Sequence, residues 1–557
     1  MSSLLSSDSK MLRTSILIIG AGPTGLGAAS RLSQHGRTFS KSTLPSSPSD
    51  TESASAPLSP LSYLVVDSSP VAGGLSATHT TPEGFLFDLG GHVIFSHYQY
   101  FDDLLDSSCG GSGPSVWNSH ERVSYVWMKN RYIPYPFQNN LASLDVPDQV
   151  TCLVGLSAAL ARPMSDPAPL TFDDWILKVM GVGIADVFMR PYNFKVWAYP
   201  TTHLQCGWLG ERVATVDVSK AISNALHKKK DCGWGPNATF RFPKSGGTGG
   251  IWRSVAEKHV PAENLLLGRE VVSIDLPSKI ATLSDGRTIS YDKLLSTIPL
   301  DETLRRTASR PDLADRLKYS STHVVGIGVR GVSTHENKCW LYYPESDCSF
   351  YRCTVFSHYS ENNCPAAETV LPTIKLADGS KPSDAEPRAG PYWSLMFEVS
   401  ESSMKPVSSD LAAVIAEVLQ GAINVKLLLP SDEVVSVFHR RLEKGYPTPC
   451  LDRDAVLKEV LPMLRDQHSV WSRGRFGAWK YEVANQDHSC MQGVEAVDNM
   501  LFGTAEITLE YPNICNAGAK NKQLKFDGGG NGGGGASTAA VSGSDDRLPL
   551  LRQWSSA

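Results

Sequence analysis

Ile16-Leu-Ile-Ile-Gly-Ala-Gly-Pro-Thr-Gly-Leu-Gly27 decides the fold of this chain. A short apolar run of the kind that forms a buried strand leads straight into Gly20, Gly22 and Gly25, and Ala28-Ala-Ser-Arg-Leu32 continues as a helix. The first glycine makes the tight turn. The second lets the backbone approach a pyrophosphate, and the third lets helix pack closely on strand. The helix then aims unpaired N–H groups and the positive end of its dipole at that anion. Strand, glycine turn and helix in this order predict a dinucleotide site in a Rossmann-like α/β domain.

Working outward, the acid expected about 20 residues past the glycines is absent from its usual place. Residues 39–60 are a Ser/Pro-rich insertion, too poor in apolar side chains to fold. Tyr63-Leu-Val-Val-Asp67 reads as the delayed second strand, and Asp67 at its end suits a ribose hydroxyl. Two more glycine pairs follow, Gly73-Gly74 and Gly90-Gly91, the second leading into His92. Each alone reads as an ordinary turn. Together they give several close backbone approaches to one ligand, where a nicotinamide site needs only the first turn, and this points to FAD.

A chain of 557 residues has room for two or three domains. A net charge of −5 with mixed patterning gives no reason to expect a nucleic-acid partner. Eleven cysteines, an odd count without a Cys-x-x-Cys pair, argue for reduced thiols rather than a disulfide framework or a metal site. No apolar run approaches the roughly 20 residues that span a bilayer. The first apolar stretch is the glycine strand itself, which removal as a leader would destroy. The expectation is a cytoplasmic enzyme without membrane insertion.

The pattern implies an FAD-binding Rossmann-like domain carrying a helical insert and an antiparallel β-sheet insert. The expected divisions begin with a disordered N-terminus over 1–12 and a first part of the FAD domain over 13–110. A sheet-domain segment (111–137) and a helical domain for substrate and oligomerisation (138–234) follow. Next come a second FAD-domain part (235–300), the antiparallel sheet domain (301–445), a third FAD-domain part (446–518) and a Gly-rich tail (519–557).

Several runs carry candidate chemistry. In Gly90-Gly-His92 the flexible backbone could bring a carbonyl to the flavin N5, although a lone histidine is more often a satisfied loop residue. Tyr135-Pro-Phe-Gln-Asn-Asn140 offers rings for stacking on a planar base and Gln138 for hydrogen bonding to its edge; a turn with core aromatics is the plainer reading. Arg212 and Arg352 suit a forked grip on a diphosphate, because guanidinium matches phosphate oxygens bidentately, yet each alone reads more readily as a surface ion pair. Residues 471–489, rich in Gly, Arg, Trp and amides, suggest a helix N-terminus aimed at something negative, such as a reduced flavin. With no Gly-x-Ser-x-Gly elbow, His-rich metal cluster or phosphate loop of the Walker kind, the chemistry falls to the flavin.

These runs resemble eukaryotic, fungal-type UDP-galactopyranose mutases over about residues 14–515, leaving out the Ser/Pro-rich insertion and both tails. The resemblance is carried by the glycine turn, Gly90-Gly-His-Val-Ile-Phe-Ser-His97, Tyr135-Pro-Phe-Gln-Asn-Asn140, Phe188-Met-Arg-Pro-Tyr-Asn-Phe-Lys-Val-Trp197, Trp208-Leu-Gly-Glu-Arg212, Gly235-Pro-Asn-Ala-Thr-Phe240, Gly445-Tyr-Pro-Thr-Pro449 and Asn485-Gln-Asp-His-Ser489. It implies an isomerase of UDP-galactopyranose and UDP-galactofuranose, working through a reduced-flavin N5–sugar adduct, reduced by NADPH, and supplying surface glycans. It assigns the diphosphate to Arg212 and Arg352 and the uracil to Tyr135, Phe137 and Gln138. Asn193, Trp197 and Asn237 take the galactose and mobile-flap region; Tyr342, Tyr359, Tyr446 and Tyr481 take the diphosphate or sugar. His92 contacts N5. FAD is held by Gly20, Gly22, Thr24, Gly25, Asp67, Gly74, Gly91, Val271, Arg475, Asn485, Gln486 and Ser489, and NADPH by His97, Arg122 and Ser124. A homo-tetramer is implied, no metal, and Ala484 stands where the family has Gly. The alternatives are an amine-oxidase or desaturase-type flavin oxidoreductase, and a flavin-free binding protein of the GDP-dissociation-inhibitor kind.

Overall fold

The computed structural model describes residues 11–42, 62–161, 168, 170–213, 215–230, 238–335, 338–383, 386–517 and 520–526, with backbone alone for 37–42 and 211. Residues 1–10, 43–61 and 527–557 lie outside these residues; Met11 and Leu12 of the expected N-terminal tail belong to a strand, and in the expected C-terminal tail Asn521 bridges Tyr98 and Phe526 is buried. The apolar run of the glycine motif belongs to the strand Met11–Ile19, at the heart of a seven-stranded sheet. Across that sheet the strands run Val271–Asp275, Ile280–Leu283, Thr288–Ser296, Met11–Ile19, Tyr63–Asp67 and Leu265–Leu267, with Val470–Ser472 also pairing Thr288–Ser296. Met11–Ile19 has parallel neighbours on both sides, Ile16 facing Tyr63 on one and Lys293 on the other. Buried on both faces, its end reads as the continuous apolar run Ile16–Ile19 rather than an alternation. At Gly20 the backbone turns with φ +108, and a Cβ there would lie 2.0 Å from Thr297 Oγ1, so only glycine fits.

The helix Pro23–Ser42 follows, running four residues into the segment expected to be insertion. The late helix Gln486–Phe502 returns to cover it, with Leu26, Ala29, Met491, Val494 and Val497 in one apolar cluster and Arg31 bridging Asp498 at 2.8 Å. Chain segments more than 450 residues apart thus complete one domain.

The second large sheet has eight strands in the order Lys375–Leu376, Glu433–Pro447, Tyr319–Arg330, Tyr392–Glu401, Arg352–Val355, Trp340–Tyr342, Ser124–Met128 and Arg131–Pro134. Its pairs are antiparallel except Trp340–Tyr342 with Ser124–Met128. Trp117–Glu121 stays out of it and pairs with Thr239–Pro243 in a separate ribbon. Between these parts lie the helices Val146–Leu160, Phe172–Val179, Arg190–Trp197 and Val218–His227. Two helices are not among the sequence expectations: Leu411–Asn424 within the sheet domain, and Arg453–His468, whose Val456, Leu457, Val460 and Leu464 pack with Leu17, Ile19 and Leu294 of the first sheet. Among the described residues no helix is long and apolar enough to cross a membrane, and the ten cysteines there are free.

Candidate active site

A cavity of about 920 Å3 lies where the carboxyl ends of the parallel strands meet one face of the second sheet. Ligands of open α/β sheets sit at such strand ends. Gly20, Asp67 and Thr297 enter from the first sheet; Tyr342, Arg352, Glu398 and Tyr446 enter from the second. Tyr481 and Asn485, ahead of the helix Gln486–Phe502, close it together with Gln486 and Ser489 at the start of that helix.

The first-sheet side is cut to the shape of a dinucleotide. Gly22 and Gly74 approach so closely that a Cβ on Gly74 would sit 3.1 Å from the Gly22 Cα. Asp67 accepts Ala21 N–H at 2.6 Å and Ser69 N–H at 2.7 Å, which fixes its carboxylate at the strand end. Burial raises its pKa, and the two N–H groups only partly offset that. Deeper in, Nδ1 of His92 is buried without a partner, as are Trp340 Nε1 and Thr354 Oγ1 nearby. Buried polar atoms left open beside such a cradle fit a heteroaromatic ring carrying its own donors and acceptors. FAD therefore fits the residues present. Burial, with Arg475 and Arg352 near, holds His92 down at about 4 against the opposing pull of Glu398, so its imidazole is neutral at physiological pH.

The other side is aromatic and cationic. Trp197, Trp208 and Tyr446 surround the Tyr481 ring at 4.8, 5.5 and 5.8 Å. The guanidinium of Arg212 lies 5.4 Å from that ring and that of Arg475 5.8 Å. Arg212 donates to Asn485 Oδ1 at 2.8 Å and to the Glu482 carbonyl at 2.9 Å. Arg475 donates to the carbonyls of Gly445 and Ala484. Ala484 has φ −118, a conformation open to any residue, so alanine in place of glycine strains nothing here. Tyr342 sits 5.1 Å from Tyr135 and 5.6 Å from Tyr192. Asn193 and Trp197 ride on Arg190–Trp197, which follows a π-helical turn over Ala185–Met189. Such turns widen a helix locally and recur at functional sites.

Most of the sequence-selected residues share this cavity: Gly20, Gly22, Thr24, Asp67, Gly74, Gly91, His92, His97, Arg122, Tyr135, Gln138, Asn193, Trp197, Arg212, Tyr342, Arg352, Tyr446, Arg475, Tyr481, Asn485, Gln486 and Ser489. Five sit behind it. Phe137 is buried against Phe188 at 4.5 Å, Val271 starts an outer strand of the first sheet, and Ser124 starts a strand beside Trp340. Tyr359 is buried among Phe240, Phe242 and Trp340, and Gly25 lies within the first helix, against the Gly20 carbonyl. Asn237 lies outside the described residues.

Three contacts are announced by no local pattern, although Asp487, His97 and Glu482 lie in runs that the sequence singles out. Glu398, 2 % exposed, accepts from Arg352, Tyr351 and the Gly91 N–H. Burial pushes its carboxyl up, but Arg352, Tyr351 and Gly91 more than offset this, so it is held ionised. Asp487 accepts from both the backbone N–H and the ring of His97, at 3.0 and 2.8 Å. Arg453 and Glu482 form a buried pair directly behind the Arg212 acceptor. Each joins residues far apart in the chain, and no local pattern encodes such a meeting.

Residues 23–349 match the family model of flavin-containing amine oxidoreductases. The chain is 43% identical to a UDP-galactopyranose mutase whose crystal structure was solved in the reduced state; the match covers 92% of this chain and 100% of that one, with a TM-score of 0.79. More distant likenesses include a proposed protoporphyrinogen oxidase from Exiguobacterium (14% identity, 91% and 100% covered, TM-score 0.58) and a putrescine oxidase variant (13% identity, 88% and 99% covered, TM-score 0.53). These two speak to fold alone.

Proposed function

The chain belongs to the UDP-galactopyranose mutase family within the flavin-containing amine oxidoreductases, and from that premise we propose how its own residues perform the reaction. It is an enzyme, a flavin-dependent isomerase interconverting UDP-galactopyranose and UDP-galactofuranose. The observation that carries the assignment of roles is that two guanidinium groups and three phenols, Arg212, Arg352, Tyr342, Tyr446 and Tyr481, line the same cavity as the dinucleotide turn.

Gly20, Gly22, Thr24, Asp67 and Gly74 would hold FAD at one end, and Gly91, His92, Asn485, Gln486 and Ser489, which line the same cavity, would take its ring. When bound and reduced, FAD supplies a nucleophile for the anomeric carbon, with no net redox change over the cycle. The protein's part is electrostatic and positional. Arg212 and Arg352 stabilise the diphosphate as it departs and keep it close for return. Tyr342, Tyr446 and Tyr481 donate hydrogen bonds to its oxygens or orient the sugar, while Tyr135, with Gln138 beside it, forms the uracil end. Asn193 and Trp197 bound the galactose. The His92 ring, kept neutral by burial, adds no positive charge to that end of the cavity.

The finer reading is a fungal-type enzyme of the cytoplasm, serving cell-wall galactofuranose. It is supported by the long motifs around Arg190 and Arg212 and by the position of His97 and Arg122 on the cavity, where NADPH would deliver its hydride. An apolar stripe on the helix Val146–Leu160 supports a homo-oligomer. The test is isomerisation of UDP-galactofuranose, followed by chromatography with and without dithionite or NADPH. Conversion only under reduction is expected. A fully reduced, flavin-loaded protein that leaves the sugar unchanged would overturn the reading.

A further inference from the structure

The carboxylate of Glu398 sits in the wall of the cavity, on the strand Tyr392–Glu401, with two loyalties. Oε1 accepts from Arg352 Nε at 2.9 Å, from Arg352 Nη2 at 2.7 Å, and from the backbone N–H of Gly91 at 2.9 Å. Oε2 accepts from Arg352 Nη2 at 2.8 Å and from the Tyr351 hydroxyl. Its acceptor capacity is full. One buried carboxylate therefore grips both the guanidinium assigned to the diphosphate and the peptide that precedes His92.

Three consequences follow for the cavity. With Nε and Nη2 engaged, Arg352 can offer Nη1 outward, and its plane is fixed by a bidentate contact. The Glu398–Arg352 pair is close to neutral, whereas Arg212 bonds only to neutral acceptors, Asn485 Oδ1 and the Glu482 carbonyl, and keeps its full charge. The Gly91 backbone is also wedged against the same guanidinium, since a Cβ on Gly91 would lie 3.3 Å from Arg352 Cζ. Loop and guanidinium cannot move independently.

We propose that Glu398 is a positioning residue that locks Arg352 and the Gly91–His92 backbone into one unit, setting the diphosphate contact at a fixed offset from the flavin while withholding charge from the bound substrate. Resting on the mutase reading, this separates ground-state binding from turnover. A merely structural carboxylate would support both.

Glu398→Gln tests it, in flavin-loaded protein. Removing one negative charge near a bound diphosphate in a partly wet cavity is expected to tighten UDP binding by on the order of tenfold, measured by titration calorimetry. The flavin midpoint potential should move in the positive direction, because the reduced anion loses a like charge. Meanwhile kcat should fall on the order of a hundredfold as the unit loses its register. UDP affinity and potential both unchanged, or affinity falling in step with kcat, would overturn the proposal. Glu398→Asp keeps the charge but is too short to reach both partners. It should leave UDP affinity near wild type and lower kcat; parallel loss of both would count equally against the idea, even if the Gln variant fails to fold. Wild-type protein that binds no UDP would instead sink the mutase reading.

Discussion

Arg212 and Arg352 carry the same charge in very different company. Arg212 reaches a side-chain amide and a carbonyl, so its charge is uncompensated by any acid it touches. Arg352 is held by a carboxylate on two of its nitrogens. Replacing either by Ala should lower kcat/KM by about 3 kcal/mol, the scale of a lost charge-stabilising contact in a transition state. The split should differ: Arg212→Ala mainly through KM and Arg352→Ala mainly through kcat, read from steady-state kinetics of the dithionite-reduced enzyme. Near-normal constants in both variants would remove the clamp assignment. Both arginines could be picked from sequence because they lie in unusual runs, Trp208-Leu-Gly-Glu-Arg212 and Phe350-Tyr-Arg352. Glu398 could not. It sits at one position of the strand Tyr392–Glu401, which is buried from Trp393 to Ser400, 46 residues from Arg352 and 307 from Gly91; strand pairing sets it opposite Arg352, and the Gly91 N–H reaches it from a bend.

Among the elements, the turn Tyr481–Val483 shows how a site is held from behind. Glu482 turns its side chain away from the cavity to Arg453, with contacts of 2.8 and 3.1 Å, and turns its carbonyl toward Arg212. The helix Arg453–His468 thereby sets the height of Tyr481 and the acceptor for Arg212. Both charges are out of water, so removing one leaves the other uncompensated. Arg453→Met alone is expected to cost about 3–5 kcal/mol of stability, while Arg453→Met with Glu482→Leu should recover much of it. Denaturant unfolding of the flavin-loaded single and double variants checks this, and an unchanged midpoint in Arg453→Met would show the pair to be dispensable. The sequence makes the strands and the first helix legible, because buried parallel strands are continuous apolar runs and the glycines punctuate them. It does not reveal the π-turn at Ala185–Met189. Apolar spacing over residues 184–190 looks helical either way, and the extra residue per turn is decided by packing and by Pro191, which lacks an N–H to continue the ladder.

At the scale of the whole molecule, exposed apolar side chains such as Val332, Val370, Leu429 and Phe502 are spread over the two-sheet body, whereas on the helical part they fall at regular spacing along one helix. Val146, Val150 and Val154 are 70, 54 and 63 % exposed. Four residues apart on the helix Val146–Leu160, they form one stripe, and Val182 from the adjoining Gly181–Ile184 stands 54 % exposed as well. A helix normally turns such a stripe inward, and a contiguous exposed apolar face on a protein with so much polar surface marks a contact. Under the homo-oligomer proposal its occupant is a second copy of this chain. None of these valines lines the cavity, so assembly and chemistry should separate. Val150→Glu combined with Val154→Lys is expected to lower the mass seen by light scattering toward that of one chain, while reduced-enzyme turnover stays within about twofold, as surface changes away from a site usually do. If the wild-type protein already scatters as a single chain, the stripe has some other purpose and the assembly proposal falls. If the double variant dissociates and turnover also collapses, the helical domain must depend on its neighbour to hold Asn193 and Trp197 in place, since those residues belong to the same helical region and line the cavity.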